Sequence, residues 1–182
     1  MRLFLAVVPP FPVRHEIAAA VEEMRGRVRG RFVPPPNLHL TLLFLGEVEP
    51  AGEETVRAAA RSVAANRAPF TVEWGGGGVF PARSRARVAW LGVREGGDAL
   101  VALADSLRRD LGRADEKPFR PHLTLARFHR PPRSGDLDAL LDGLGPLSWR
   151  HRVEAFHLLQ SRLDPDGAVY AERAAFDLTG PR

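Results

Sequence analysis

The chain of 182 residues contains no cysteine, which excludes disulfide cross-links and thiolate metal sites. Its apolar opening, "MRLFLAVVPPFPV", is interrupted by prolines and is too short to span a bilayer. The opening also lacks the small-residue cleavage site of a secretory signal. We therefore expect a cytoplasmic protein with no membrane partner. We also expect a monomer.

Lysine is almost absent as well: of the 26 basic residues, every one except Lys117 is an arginine, and the net charge is +4. The planar guanidinium fork of arginine matches phosphate oxygens in a way that lysine does not, so a phosphate or nucleic-acid partner is one interpretation. Codon usage in a GC-rich genome is the other, and composition alone favours it.

The order of predicted elements occurs twice along the chain. A short apolar strand, an amphipathic helix and a strand that contains the tetrapeptide His-Leu-Thr-Leu follow one another in each half. From Leu3 to His39 is 36 positions, and from Val88 to His122 is 34. This repeat predicts one domain over residues 1–182, with two pseudo-symmetric lobes at roughly 1–80 and 81–182. Whether terminal strands are exchanged between the lobes stays open.

Side chains alternate between the two faces of a strand, and this alternation separates each tetrapeptide into two sets. The leucines point into the lobe's core. The polar side chains point the other way, so that His39, Thr41, His122 and Thr124 face one shared cleft.

Two imidazoles and two hydroxyls suit phosphodiester hydrolysis without a metal. A neutral imidazole takes a proton from water, while a protonated one donates to the leaving oxygen. Threonine hydroxyls donate to the oxygens on which charge develops. Two alternatives remain: duplication could copy a structural motif, and two imidazoles could hold zinc. The halves have diverged nearly everywhere else, and no carboxylate or third histidine stands at ligand spacing, so we expect catalysis without a cofactor or metal.

These motifs resemble those of the 2H phosphoesterase superfamily, which is named for its two His-x-Thr/Ser-x motifs. "RLFLAVVPP", "VPPPNLHLTLLFLGEV" and "PFRPHLTLAR" resemble more closely the RNA 2′,3′-cyclic phosphodiesterases, or LigT-like (ThpR) family. The resemblance runs nearly from end to end. It implies an α+β fold in which two antiparallel sheets flank a central cleft with helices outside.

The resemblance also implies the roles of the site residues. His39 would be the proton donor and His122 the proton acceptor, with Thr41 and Thr124 on the phosphate. The substrate would be RNA with a 2′,3′-cyclic phosphate end, or a related cyclic nucleotide. The chain departs from the pattern at Leu43, where many relatives have a basic residue.

Two arginines are candidates for substrate binding. Arg127 matches the family's "HLTLAR", although strict alternation places it opposite His122 unless a bulge or a strand end intervenes. Arg120 lies on the side of His122 by the same rule. Both could instead be solvated surface residues. A third candidate is the strip Arg83, Arg85 and Arg87, which would meet the RNA backbone or simply form an exposed loop.

The motifs are also compatible with other functions. One is an RNA 2′–5′ ligase acting on tRNA halves, or another nucleotide esterase of the same superfamily. A module that binds RNA ends without catalysis is the alternative from a different class, although intact histidines in both motifs argue against it.

Overall fold

The computed structural model describes residues 1–26, 28–113, 118–165 and 167–181. Within these residues, two 3-10 turns (Pro35–Asn37 and Arg83–Arg85) accompany nine strands and four α-helices. In chain order these are β1 (Arg2–Val7), α1 (Phe11–Arg25), β2 (Arg31–Phe32), β3 (Leu40–Glu47), α2 (Pro50–Ala65), β4 (Phe70–Phe80), β5 (Val88–Glu95), α3 (Gly97–Asp110), β6 (Leu123–Arg127), α4 (Ser134–Leu144), β7 (Ser148–Val153), β8 (Ala155–Asp164) and β9 (Gly167–Asp177).

The strands form two antiparallel sheets, in the orders β3-β1-β8-β9 and β2-β6-β5-β4-β7. In the first sheet β1 pairs with β3, and in the second β5 pairs with β6, in each case after one helix has joined the two strands. The two tetrapeptides therefore lie at equivalent places, one in each sheet, and β3 and β6 contact each other. The predicted α+β class with two antiparallel sheets is confirmed.

Sheet membership crosses the predicted boundary near residue 80. Strand β4 belongs to the second sheet, whereas β8 and β9 return to the first. Glu154 separates β7 from β8, and the chain changes sheet there. The buried positions change phase there, from Trp149 and Val153 to Phe156 and Leu158, and a change of phase does not by itself distinguish a change of sheet from a bulge.

One hydrophobic cluster joins both sheets and all four helices, and includes the fully buried side chains of Leu5, Ile17, Trp74 and Leu103. A smaller cluster of Phe4, Ala6 and Leu159 lies on the opposite face of the first sheet. The first sheet therefore carries the main core on one face and this small apolar cluster, against which Tyr170 packs, on the other. No helix among the described residues has the length and apolar character needed to cross a membrane.

Candidate active site

Both tetrapeptides divide their side chains as alternation predicts. Leu38, Leu40 and Leu42 are buried in the core beneath the first sheet, and Leu123 and Leu125 occupy the corresponding places in the second. The two histidines immediately precede the strands, and they and the two threonines are only partly exposed. The leucines thus hold each strand in place while the polar side chains stay accessible on its other face.

Each imidazole is held by a backbone carbonyl two residues earlier in the chain. His39 Nδ1 lies 2.7 Å from the carbonyl oxygen of Asn37, and His122 Nδ1 lies 2.7 Å from that of Arg120. Because a carbonyl oxygen can only accept, Nδ1 donates in both cases and carries the proton. Nε2 is consequently the nitrogen that each ring has free for proton transfer.

The first threonine, Thr41, contacts Nε2 of His39. Thr41 Oγ1 lies 3.1 Å from His39 Nε2, so in the neutral ring the hydroxyl donates and Nε2 accepts. Thr124 faces Trp90 on the neighbouring strand, and its hydroxyl has no side-chain partner among the described residues. Thr41 therefore contacts its imidazole directly, whereas Thr124 follows His122 by two residues and keeps its hydroxyl available.

Each strand has a β-bulge directly after its threonine. Thr41 pairs with Ala6, and Leu43 pairs with the preceding residue Leu5, so Leu42 is the extra residue. In β6 the extra residue is Leu125, by the same shift in pairing. A bulge reverses the alternation that follows it. Two consecutive side chains are therefore buried after each bulge, including Leu43, which is 6% exposed.

The bulge decides which arginine faces the cleft. It returns Arg127, five residues after His122, to the face of the imidazole, and the charge of Arg127 lowers the pKa values of both motif histidines. The side chain of Arg120 is exposed, and only its backbone carbonyl contacts His122. Of the two predicted substrate-binding arginines, Arg127 alone acts electrostatically on the site.

The strip Arg83, Arg85 and Arg87 has structural partners. Arg83 forms an ion pair with Asp138, and Arg87 donates to the carbonyl of His129. Arg85 lies in a short 3-10 turn and is exposed. These contacts tie the loop to its neighbours and leave little of the strip available for an RNA backbone.

Aromatic rings surround both imidazoles. His39 lies against Phe4 and Tyr170, with centroid distances of 5.0 and 5.1 Å. His122 lies 4.9 Å from Phe80 and 6.2 Å from Trp90. Trp90 in turn covers Gly78, where a Cβ would come within 2.1 Å of the indole ring.

These surroundings lower the pKa of both histidines below the ordinary value of 6.5. Burial is the largest cause in each case, because desolvation disfavours the charged imidazolium. The hydrogen bond to the backbone carbonyl opposes it. The charge of His122 also lowers the pKa of His39, which places the two rings within electrostatic reach of each other.

Two further residues lie near His39 and Thr41 on the first sheet. Phe44 is the counterpart of Arg127, five residues after its own histidine; it pairs with Phe4 and is 68% exposed. His157 pairs with Ala6, beside Thr41, and its Nδ1 lies 3.0 Å from Glu172. Phe44 follows His39 by the same five residues that separate Arg127 from His122, and this equal spacing could have identified Phe44 from the sequence.

The other histidines lie outside this cleft. His15 stacks on Phe11 on α1, and His151 accepts a hydrogen bond from Trp74 Nε1. Across the described ranges, no three His, Asp or Glu side chains come together as a potential metal site.

Comparison with known proteins agrees with this arrangement. A family described as the "2′-5′ RNA ligase superfamily" matches residues 11–165. An RNA 2′,3′-cyclic phosphodiesterase of Archaeoglobus fulgidus is 36% identical over 97% of this chain and 100% of its own length. One from Thermus thermophilus is 38% identical over 99% of this chain and 91% of its own length.

The fold is also similar to solved structures. Escherichia coli LigT in complex with 3′-AMP superposes with a TM-score of 0.79 at 30% identity, covering 98% of each chain. The resemblance inferred from the paired motifs is confirmed. The chain belongs to the 2′-5′ RNA ligase superfamily, the LigT-like group of the 2H phosphoesterases.

Proposed function

We propose that the protein is an RNA 2′,3′-cyclic phosphodiesterase that opens the terminal cyclic phosphate to a 2′-phosphomonoester. The observation that carries the proposal is the paired arrangement of imidazoles: a carbonyl holds Nδ1 of each ring, which leaves Nε2 for proton transfer, and a threonine follows each histidine by two residues. The relatives of A. fulgidus and T. thermophilus, which match over nearly the whole chain, carry this activity in their names.

The proposed reaction uses both imidazoles in opposite protonation states. Neutral His122 accepts a proton at Nε2 from water as the water oxygen bonds to phosphorus. His39, as the imidazolium, donates its Nε2 proton to O3′ as the P–O3′ bond breaks. The 2′-phosphate remains on the ribose, and a second turnover requires the proton to return from His122 to His39 through solvent.

The remaining cleft residues stabilise charge on the phosphate. Thr41 and Thr124 donate hydrogen bonds to non-bridging oxygens, and Arg127 adds a positive charge. In the free protein the hydroxyl of Thr41 contacts His39 Nε2, and substrate binding would redirect it. The anionic phosphate offsets the burial that disfavours the imidazolium of His39.

The test compares His39→Asn and His122→Asn on a short RNA with a 2′,3′-cyclic phosphate end. Loss of proton transfer is expected to lower kcat by about 10²- to 10⁴-fold in each variant, with an unchanged circular dichroism spectrum. His15→Asn, on the outer face of α1, is the matched control and should retain activity. Full turnover by either motif variant, or a 3′-phosphate product, would contradict the mechanism.

Metal independence is tested separately. Wild-type protein dialysed against a chelator is expected to keep its kcat, because the proposed steps use only imidazole, hydroxyl and guanidinium groups. A loss of activity that Zn²⁺ or Mn²⁺ restores would overturn this part of the proposal.

The family description favours a second activity at the same site, the joining of RNA ends through a 2′–5′ bond. There the 5′-hydroxyl of another RNA would replace water as the group that His122 deprotonates. Incubation of tRNA halves, one of which ends in a cyclic phosphate, would show a longer product if ligation occurs. Tight binding without either product would instead indicate a module that binds RNA ends.

A further inference from the structure

A groove at the edge of the second sheet concentrates positive charge. It has a volume of about 770 Å³ and is lined by Arg29, Arg31, Arg127, Arg130 and Arg133, with Asp136 as the one carboxylate among its lining residues. Five arginines against one carboxylate leave an excess of four positive charges, as large as the net charge of the whole chain. We call this surface the arginine groove.

Three of these arginines have no side-chain partner among the described residues. In the described part of the chain, Arg29, Arg130 and Arg133 form no side-chain hydrogen bond or ion pair, and all three are exposed. Elsewhere on the surface arginines are commonly paired, as in Arg61–Glu54 and Arg150–Glu95. Unpaired like charges that face one groove repel one another, and a polyanion removes that repulsion.

Arg127 links the arginine groove to the two motif histidines. This residue lines the groove, and its charge also reaches both motif histidines. Arg31 on β2 lies directly opposite Arg127 on the neighbouring strand β6. It reaches the first sheet as well, since a Cβ on Gly167 would collide with its guanidinium group. A chain whose end occupies the cleft could therefore leave it along the groove.

The loop that forms one wall of the groove is restrained. Pro131 and Pro132 limit its backbone, and Arg87 donates to the carbonyl of His129 at its start. Arg133 directly precedes α4. These restraints hold Arg130 and Arg133 at the groove without using their charges.

We propose that the arginine groove binds the phosphodiester backbone of single-stranded RNA on the 5′ side of the terminal phosphate held in the cleft. The inference rests on the proposed function and extends it from the reacting end to the body of the substrate. Arginine forks suit backbone phosphates, and the position of Arg127 in both the groove and the site favours RNA, whose end would occupy the cleft, over an acidic protein segment. The groove would make the enzyme prefer RNA ends to cyclic mononucleotides.

The test uses two substrates, 2′,3′-cyclic AMP and a 12-nucleotide RNA with a 2′,3′-cyclic phosphate end. The triple variant Arg29→Gln/Arg130→Gln/Arg133→Gln should lose about tenfold or more in kcat/KM on the RNA at low salt, and less than twofold on the mononucleotide. The control triple variant Arg61→Gln/Arg109→Gln/Arg150→Gln removes the same charge elsewhere and should change neither. Equal losses on both substrates, or no loss on RNA, would overturn the proposal.

Binding separates this inference from the proposed function. Inactivity of the wild type on both substrates would refute the proposed function alone, because the groove can still be tested with a 12-nucleotide RNA that ends in a 2′-phosphate. The slope of log Kd against log salt should fall by about 2 in the triple variant, at roughly 0.7 per phosphate contact. An unchanged slope would contradict the proposal. So would equal competition by polyglutamate, which would indicate an acidic protein partner.

If the triple variant fails to fold, the three single substitutions carry the test. Each should reduce the salt slope for RNA by about 0.7 and leave mononucleotide turnover unchanged. Single variants that all retain the wild-type slope would reject the groove as an RNA site.

Discussion

At the scale of single residues, the two halves differ most usefully at the fifth position after each histidine. The first half has Phe44 and the second has Arg127, and a bulge turns each toward the cleft. One wall therefore presents an exposed aromatic ring and the other a guanidinium group. Such an asymmetric pair can bind the two chemical parts of a nucleotide, its base and its phosphate.

Arg127 and Arg120 provide a direct comparison. We expect Arg127→Gln to lower kcat/KM by about 10- to 100-fold, because a charge beside the phosphate is lost. Removal of that charge should also raise the pKa of His122 and move the acid limb of the kcat/KM profile to higher pH. Arg120→Gln should have less than a twofold effect. A larger effect at Arg120 than at Arg127 would reverse this assignment.

Phe44 should act on binding more than on chemistry. Phe44→Ala is expected to raise KM by about 5- to 150-fold, since a stacked base contributes about 1–3 kcal/mol, with kcat nearly unchanged. Phe44→Trp should restore the wild-type KM. Leu163→Ala removes a similarly exposed apolar side chain at the β8–β9 turn and serves as the control. A change in kcat alone would argue against a base platform.

At the scale of elements, one buried carboxylate joins α2 to the first sheet. Glu53 is 7% exposed and accepts hydrogen bonds from Arg57 on its own helix and from Arg173 on β9. Hydrogen bonds from Arg173 are the largest cause of its lowered pKa, followed by those from Arg57. The contact between Glu53 and Arg173 therefore connects residues 120 positions apart in the chain and helps to hold β9 beside the cleft.

The neighbouring residues Glu53 and Glu54 allow the contact between α2 and β9 to be tested. Glu53→Gln keeps the size of the side chain but loses its charge, and is expected to lower Tm by roughly 5 °C. Glu54→Gln removes an exposed ion pair with Arg61 and should change Tm by about 1 °C or less. Similar melting temperatures for the two variants would show that the connection between α2 and β9 contributes little to stability.

At the scale of the whole molecule, three histidines make the fold sensitive to acid. The pKa values of His39, His122 and His151 are all lowered, chiefly by burial. Below about pH 6.5 the unfolded chain binds protons that the folded chain resists. The three neutral histidines therefore make their full contribution to the free energy of unfolding above that pH. This contribution is lost as the pH falls toward their pKa values in the folded protein.

We accordingly expect Tm to fall between pH 7.5 and pH 5, as measured by differential scanning fluorimetry. His151 adds a specific reason, because its Nδ1 must stay unprotonated to accept from Trp74 Nε1 at 3.1 Å. His151→Gln can keep an acceptor that does not titrate, so its Tm should depend less on pH. A wild-type Tm that is constant over this range would contradict the expectation.

The amino-acid sequence by itself determined the paired site. The spacing of leucines against histidine and threonine depends only on the two-residue period of a strand, so the cleft-facing set of His39, Thr41, His122 and Thr124 could be predicted. The repeated order of strand, helix and strand is equally local. Resemblance to a known family then supplied the expected roles of the two imidazoles.

Only the tertiary structure decided what lies around that set. Whether a strand bulges depends on its pairing partner, and the bulges after Thr41 and Thr124 turned Phe44 and Arg127 toward the cleft. The change of sheet at Glu154 and the arginine groove likewise depend on segments far apart in the chain. Local periodicity carries no information about such long-range pairing, which is why these features appear only in the folded molecule.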